Sequence, residues 1–227
     1  SLRLYACFAV AGCMCEPAQT VSGKCGELHY FFKTPREGVS QPWPLLLFLH
    51  GAGERGGPDG RELGRVMVHG PWRQPDAERC CILAPQCQTG MTWPGITPEV
   101  IKLVREACRK YPIDPNRCYL TGLSLGAFGC WALACAEPTL FAAVVAICGG
   151  FARPMARTTG LTAVLKLAKE KLEPGSVEDV RNMPAWLFHG SKDKLVDSQG
   201  SEGLYEALGG KSREVGLKLT MFKDSYH

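Results

Sequence analysis

Tyr119-Leu120-Thr121-Gly122-Leu123-Ser124-Leu125-Gly126-Ala127 is the stretch whose reading decides the fold. Before it, Arg117 to Thr121 is short, apolar and partly β-branched; after it, Ala127 to Ala134 reads as a buried helix stopped by Glu137-Pro138. Between the two, G-x-S-x-G describes a sharp strand-to-helix turn. Such a turn holds its serine in a strained backbone conformation and needs glycine wherever a Cβ would strike the neighbouring strand or helix. Ser124 is therefore the candidate nucleophile. The pentapeptide is a weak signal in a chain with 26 glycines, so its partners have to decide.

Outward from this turn, short apolar runs alternate with helical patterns, as in a mostly parallel sheet. Strands are expected at 29–33, 45–49, 80–84, 141–148, 185–188 and 214–222. The run Leu45 to Leu49 is apolar without a break, the pattern of a strand buried on both faces. A crossover helix is expected from Thr97 to Tyr111, with Thr97-Pro98-Glu99 as its cap and Pro112 as its stop, and another helix from Gln199 to Leu208. The stretch from Gly149 to Asn182 is too long for a minimal connection. Leu161, Val164, Leu165, Ala168 and Leu172 give it one amphipathic helix, either a wall over a pocket or an ordinary crossover.

The chain has 227 residues, 45% of them hydrophobic, enough for one sizeable domain. The net charge of +4 is dispersed, with no basic run of the kind that binds nucleic acid. No apolar run is long enough for a transmembrane helix. The twelve cysteines contain no C-x-x-C pair and no zinc-ligand spacing. Cys118, Cys130, Cys135 and Cys148 fall in apolar runs that read as core. This placement favours a reducing, cytoplasmic compartment, with disulfides among Cys7, Cys13, Cys15 and Cys25 as the exception. Val10-Ala11-Gly12-Cys13 has the form of a lipobox, which keeps a secreted or lipid-anchored protein open, beside the plainer reading of Leu4 to Val10 as a first strand.

A serine hydroxyl needs a base, and the base an orienting acid, in the chain order Ser, Asp or Glu, His. Only His189 and His227 follow Ser124. His189 ends an apolar strand and suits a structural role, so His227 is the expected base. Asp193 lies on the loop beyond the same strand and is the expected acid. Asp197, near a helix start, and Asp224, on the histidine's own loop, are its competitors. The glycine-rich loop His50 to Gly56 lacks the residues of a phosphate loop and can offer backbone amides to a developing oxyanion. The expected donors are the amides of Ala52 and Leu125. Trp93 and Phe151 are candidate pocket residues, with plain core aromatics as the alternative.

His50-Gly51-Ala52-Gly53-Glu54-Arg55-Gly56, Ala84-Pro85-Gln86, Tyr119 to Gly126, Ile147-Cys148-Gly149-Gly150, and Phe188-His189-Gly190 with Asp193 occur in this order between Leu28 and His227. Together they resemble the esterase and predicted-peptidase branch of the α/β-hydrolase superfamily, similar to phospholipase/carboxylesterase, dienelactone hydrolase and prolyl-oligopeptidase catalytic domains. The resemblance implies a three-layer α/β fold with a mostly parallel central sheet. It also implies a triad of Ser124, Asp193 and His227, oxyanion donors at Ala52 and Leu125, and chemistry that needs no cofactor. The implied activity is hydrolysis of carboxylic esters or thioesters of small molecules through an acyl-enzyme. A serine peptidase of the prolyl-oligopeptidase type and a non-catalytic ligand-binding protein are the alternatives.

Residues 1–24 match nothing in the resemblance and are an unassigned N-terminal segment or a first strand, so the catalytic domain is expected over 25–227, truncated at its C-terminus. The sequence ends on His227, where the resembling family continues with an aromatic-containing segment and a final helix. The expectation is thus a frayed imidazole in an inactive piece, with turnover restored in a longer chain.

Overall fold

The computed structural model describes residues 19–150, 176–213 and 216–227. Its centre is one eight-stranded sheet: β1 (Thr20–Cys25), β2 (Leu28–Lys33), β3 (Trp43–Leu49), β4 (Cys81–Pro85), β5 (Ile113–Leu123), β6 (Ala143–Ile147), β7 (Ala185–Gly190) and β8 (Leu217–Phe222). The order across the sheet is β1-β2-β4-β3-β5-β6-β7-β8. β2 is antiparallel to β1 and β4, and every pair from β4 to β8 is parallel. The described helices are α1 (Thr97–Lys110), α2 (Leu125–Ala136), the short α3 (Ser176–Asp179) and α4 (Gln199–Ala207). This is the mostly parallel α/β architecture that the sequence led us to expect.

The apolar run in β3 behaves as its composition demands. Leu45, Leu47 and Leu49 point into the main core with Leu83, Cys118, Leu120 and Leu187, while Phe48 points to the other face, against Leu63, Val66 and Ala84. Transfer of each such leucine from water contributes roughly 1.5–3 kcal/mol. α1 is one-sided: Thr97, Val100, Ile101, Leu103, Val104 and Ala107 are buried and Cys108 packs partly buried against the core, while Pro98, Glu99, Lys102, Arg105, Arg109 and Lys110 are exposed. Ile96, not Thr97, is its N-cap; the Thr97 hydroxyl instead donates back to the carbonyls of Trp93 and Pro94. α2 is apolar on every side because it is enclosed by β3, β5, β6, α1 and the 3-10 turn Trp93–Ile96.

β1 has no counterpart in the sequence reading, which began the domain at Cys25. Its residues Thr20 to Lys24 are largely exposed on a sheet edge, so no hydrophobic alternation marks them. β1 is instead fixed by pairing Thr20 with Lys33 through Cys25 with Leu28, around a turn in which Gly26 has φ 56°. The helix expected within 161–172, together with Cys7, Cys13 and Cys15, lies outside the described residues.

Cys25 is a free, buried thiol, as are Cys81, Cys87, Cys118 and Cys130. Cys148 departs from the core reading. It is half-buried, one residue past the C-terminal end of β6, with φ 46°. Among the described residues, no helix is long and apolar enough to cross a membrane.

Candidate active site

The chain passes from β4 on one side of β3 to β5 on the other, so the carboxyl ends of β3 and β5 border the crevice where such sheets bind ligands. Ser124 stands there, between the end of β5 and the start of α2, with φ 52° and ψ −117°. An L residue reaches that conformation only when its surroundings impose it. The Ser124 amide donates to Ile147 O at 2.8 Å, tying the turn to β6. A Cβ at Gly122 would lie 2.6 Å from the Gly126 backbone, and one at Gly126 would lie 1.9 Å from Leu49 O. The two glycines of the pentapeptide are therefore steric necessities.

The loop after β3 lies against this turn: a Cβ at Gly51 would touch Leu123, and one at Gly126 would be 2.9 Å from His50 O. His50 holds the loop in place. Its Nδ1–H donates to Gly51 O at 2.6 Å, and its Nε2 accepts from the Cys87 amide at 3.0 Å. Burial pushes the imidazole pKa below its ordinary value, consistent with the neutral ring that this pattern requires. Ala52 opens the 3-10 turn Ala52–Glu54, and Leu125 opens α2. An amide at a helix start has no partner within its own helix. The two expected oxyanion donors therefore lie at helix starts, Leu125 next to Ser124 in the chain and Ala52 next to Gly51, which packs against Leu123, a placement suited to negative charge.

Trp93 goes to the core. It is 1% exposed, donates to His50 O at 3.0 Å and packs edge-on against the His50 ring at a centroid distance of 4.9 Å. It braces the loop after β3 through His50 instead of lining a pocket. Phe151 lies outside the described residues.

Asp193 and His227 come from the ends of β7 and β8. The Asp193 carboxylate folds back on its own turn, Oδ1 accepting the amides of Leu195 at 2.8 Å and Val196 at 2.9 Å. Its Oδ2 faces His227 Nδ1 at 2.6 Å, and His227 Nε2 faces Ser124 Oγ at 2.9 Å. Serine, imidazole and carboxylate thus form one continuous hydrogen-bonded line. The competing acids are engaged elsewhere: Asp197 caps the start of α4 through the Gln199 amide, and Asp224 pairs with Lys192 at 2.7 Å.

Two opposed effects act on the Asp193 carboxyl. Burial alone would raise its pKa, but the hydrogen bonds from Val196, His227 and Leu195 outweigh burial and hold it below the usual carboxylate value. The His227 pKa is raised to about 9, first by a hydrogen bond with Cys148, against the opposing effect of burial, and then by Asp193.

The imidazole is not frayed, contrary to the sequence expectation. The Lys192 amide donates to Ser225 O at 2.9 Å, and the Asp224 amide donates to Ser191 Oγ at 3.0 Å. A Cβ on Gly190 would lie 2.4 Å from Ser225 O and 2.6 Å from Tyr226 O, so glycine at the end of β7 is what lets the histidine loop approach.

Two residues at this site were not assigned to it from sequence. His189, read as structural, is fully enclosed. Its Nε2 lies 3.0 Å from Val196 O and 3.2 Å from Asp193 Oδ2, and its Nδ1 lies 2.7 Å from Ser201 Oγ. Ser201 in turn donates to Gly149 O at 3.2 Å. The signal for His189 was its spacing of four residues from Asp193 across a strand-end turn. For Cys148 the signal was its place directly after a parallel strand, on the rim that carries Ser124 and Asp193.

The sequence model of the prolyl oligopeptidase family matches residues 96–227, more than half of the chain. Among solved structures, a thermostable esterase is 29% identical with a TM-score of 0.66, over 91% of this chain and 54% of its own. TT1662 from Thermus thermophilus is 22% identical with a TM-score of 0.60, over 93% of this chain and 91% of its own. Pyrococcus horikoshii acylaminoacyl peptidase is 16% identical with a TM-score of 0.66, over 95% of this chain and 38% of its own. The chain thus spans about half the length of the esterase and less of the peptidase. No curated protein sequence matches it. Family model, sheet order and strand-to-helix serine agree, and the chain belongs to the prolyl oligopeptidase family, serine hydrolases of the α/β-hydrolase superfamily.

Proposed function

We propose that the protein hydrolyses carboxylic esters or thioesters of small molecules by two-step acyl transfer, with Ser124 as nucleophile, His227 as general base and acid, and Asp193 as the group that orients the base. The observation that carries this reading is the unbroken line from Ser124 Oγ to His227 at 2.9 Å and from His227 to Asp193 at 2.6 Å. Both distances fall within hydrogen-bond reach, the first allowing proton transfer from nucleophile to base and the second orienting that base.

In this mechanism His227 Nε2 takes the hydroxyl proton as Ser124 Oγ attacks the ester carbonyl. The carbonyl π electrons move onto oxygen, and the amides of Leu125 and Ala52 stabilise that charge. Asp193 holds the Nδ1–H tautomer and stabilises the imidazolium. The proton then passes from Nε2 to the departing alcohol or thiol. Water, deprotonated by the same nitrogen, attacks the acyl-enzyme and releases the acid. Every step is assigned to a group of the chain itself.

The preference for esters is supported by the thermostable esterase, to which 91% of the chain aligns at 29% identity. A second reading, a peptidase acting on short peptides, draws on the family itself and on the similarity in fold to an acylaminoacyl peptidase. The test has two arms. A fluorophosphonate probe should label wild-type protein at Ser124 and leave Ser124→Ala unlabelled; an unlabelled wild type would end both hydrolase readings in favour of a ligand-binding protein. Side-by-side rates on short-chain p-nitrophenyl esters and peptide p-nitroanilides then separate esterase from peptidase, with the esters expected to be faster.

A further inference from the structure

The proposed mechanism leaves Cys148 unused, although this thiol sits against the proposed base. Cys148 follows β6, Asp193 follows β7, and His227 follows β8; these are neighbouring parallel strands, so their carboxyl ends converge on one rim. The Cys148 backbone is held in place, its amide donating to Phe188 O at 2.8 Å and its φ of 46° imposed on a residue type that seldom adopts it. One sulfur, one ring nitrogen and one carboxylate oxygen from these three residues all lie within 4.8 Å of one another.

We propose that Cys148, His227 and Asp193 form a binding site for a soft divalent cation such as Zn2+, and that its occupation switches the hydrolase site off. The binding stands on this cluster alone; the switching rests on the hydrolase reading of Ser124 and His227.

Three features fit a thiophilic metal. The donors are a thiol, an imidazole and a carboxylate, a set that selects zinc or cadmium over magnesium or calcium. A thiolate and a carboxylate carry two negative charges, so a divalent ion makes the site neutral in a partly buried place. The spacing, at most 4.8 Å between donor atoms, lies within reach of a tetrahedral ion. With metal–ligand distances of about 2.0–2.3 Å, ligand atoms stand roughly 3.3–3.7 Å apart, so adjustments on the order of 1 Å suffice. His227 can supply this movement, since it lies on an exposed loop with its side chain 21% accessible. The fourth position falls to water.

Binding releases the Cys148 thiol proton and, from a protonated His227, one ring proton as well, and the metal takes the freed lone pair of the ring. An imidazole held on the metal cannot accept the Ser124 proton. The switch is reversible because no covalent bond of the protein breaks.

The test uses the full chain, with Co2+ as spectroscopic probe and Zn2+ as competitor. One equivalent of Co2+ should give a thiolate-to-cobalt charge-transfer band that Zn2+ abolishes. Zn2+ in the same range should block fluorophosphonate labelling of Ser124, EDTA should restore it, and Mg2+ should do neither. Cys148→Ala should lose the band and bind Zn2+ more weakly by at least about 100-fold, beyond the 10–100-fold typical of second-shell losses. Ser124→Ala should keep both band and affinity. If Cys148→Ala does not fold, His227→Ala, on the exposed loop, carries the same comparison. An unchanged band and affinity in these variants would assign the metal to other cysteines and overturn the proposal, as would labelling that ignores bound Zn2+. A Co2+ band dependent on Cys148, in a wild type that resists labelling even in EDTA, would keep the binding site and overturn the hydrolase reading instead.

Discussion

Ser124 and His227 meet at 2.9 Å, but the two sides of that contact are held in different ways. The serine, 7% exposed, stands on a turn wedged by backbone contacts among Gly122, Gly126 and Leu49 that leave no space for a Cβ. The histidine stands on an exposed loop, held by the Lys192 and Asp224 amide bonds and by its own ring. The nucleophile is thus fixed by close packing, which resists deformation, and the base by a few hydrogen bonds worth about 0.5–1.5 kcal/mol each. Changes to the packed glycines around the serine should therefore act through folding, and loss of the reacting side chains through chemistry.

The largest expected effect tests the packed side. Gly126→Ala puts a methyl 1.9 Å from Leu49 O, a backbone atom that cannot give way. A loss above about 4 kcal/mol is expected, seen as missing folded protein by circular dichroism. A variant that melts like wild type would show the turn to be looser than described.

Removing chemistry without disturbing packing should look different. Ser124→Ala and His227→Ala should each lower kcat by about 10^4–10^6-fold with little change in melting temperature. Asp193→Asn follows at about 10^4-fold, since the amide mis-sets the imidazole tautomer while its neighbours stay in place. Equal rates for Asp193→Asn and wild type would remove Asp193 from the line and return the choice to Asp197 or Asp224.

The pH profile probes the loosely held side. His227 is raised from 6.5 to about 9, so its favourable interactions are fully present below pH 6.5 and fade as pH rises through about 9. Activity runs the opposite way, because the base must be neutral. In buffer containing EDTA, kcat/KM should climb about 100-fold from pH 7 to a plateau above pH 9. Cys148→Ala removes the first cause of the shift and should move the midpoint down; a midpoint that stays put would take Cys148 away from the ring.

The smallest expected effect is at His189. His189→Gln keeps a donor near Asp193 Oδ2 and Val196 O, and it should cost under about 10-fold in kcat; His189→Phe, which leaves those acceptors unmet, should cost more. If both variants lose kcat equally with parallel losses of melting temperature, His189 serves only the core.

The sequence determined by itself whatever is local. A strained serine between two sterically required glycines, a strand buried on both faces at Leu45 to Leu49, and an amphipathic α1 each leave a mark in residue types a few positions apart, because backbone geometry and helical period act over that range. Chain order named Asp193 and His227, and the structure sets both in hydrogen-bond reach of the line to Ser124. What the sequence left open depends on register between distant strands. Exposed β1 carries no hydrophobic alternation, Trp93 turns inward to His50, and His189 reaches Asp193 only through its strand-end turn. Cys148 meets His227 only because β6, β7 and β8 end on the same rim. Side chains some 80 or 100 residues apart are brought together by sheet pairing, and tertiary structure alone sets that distance.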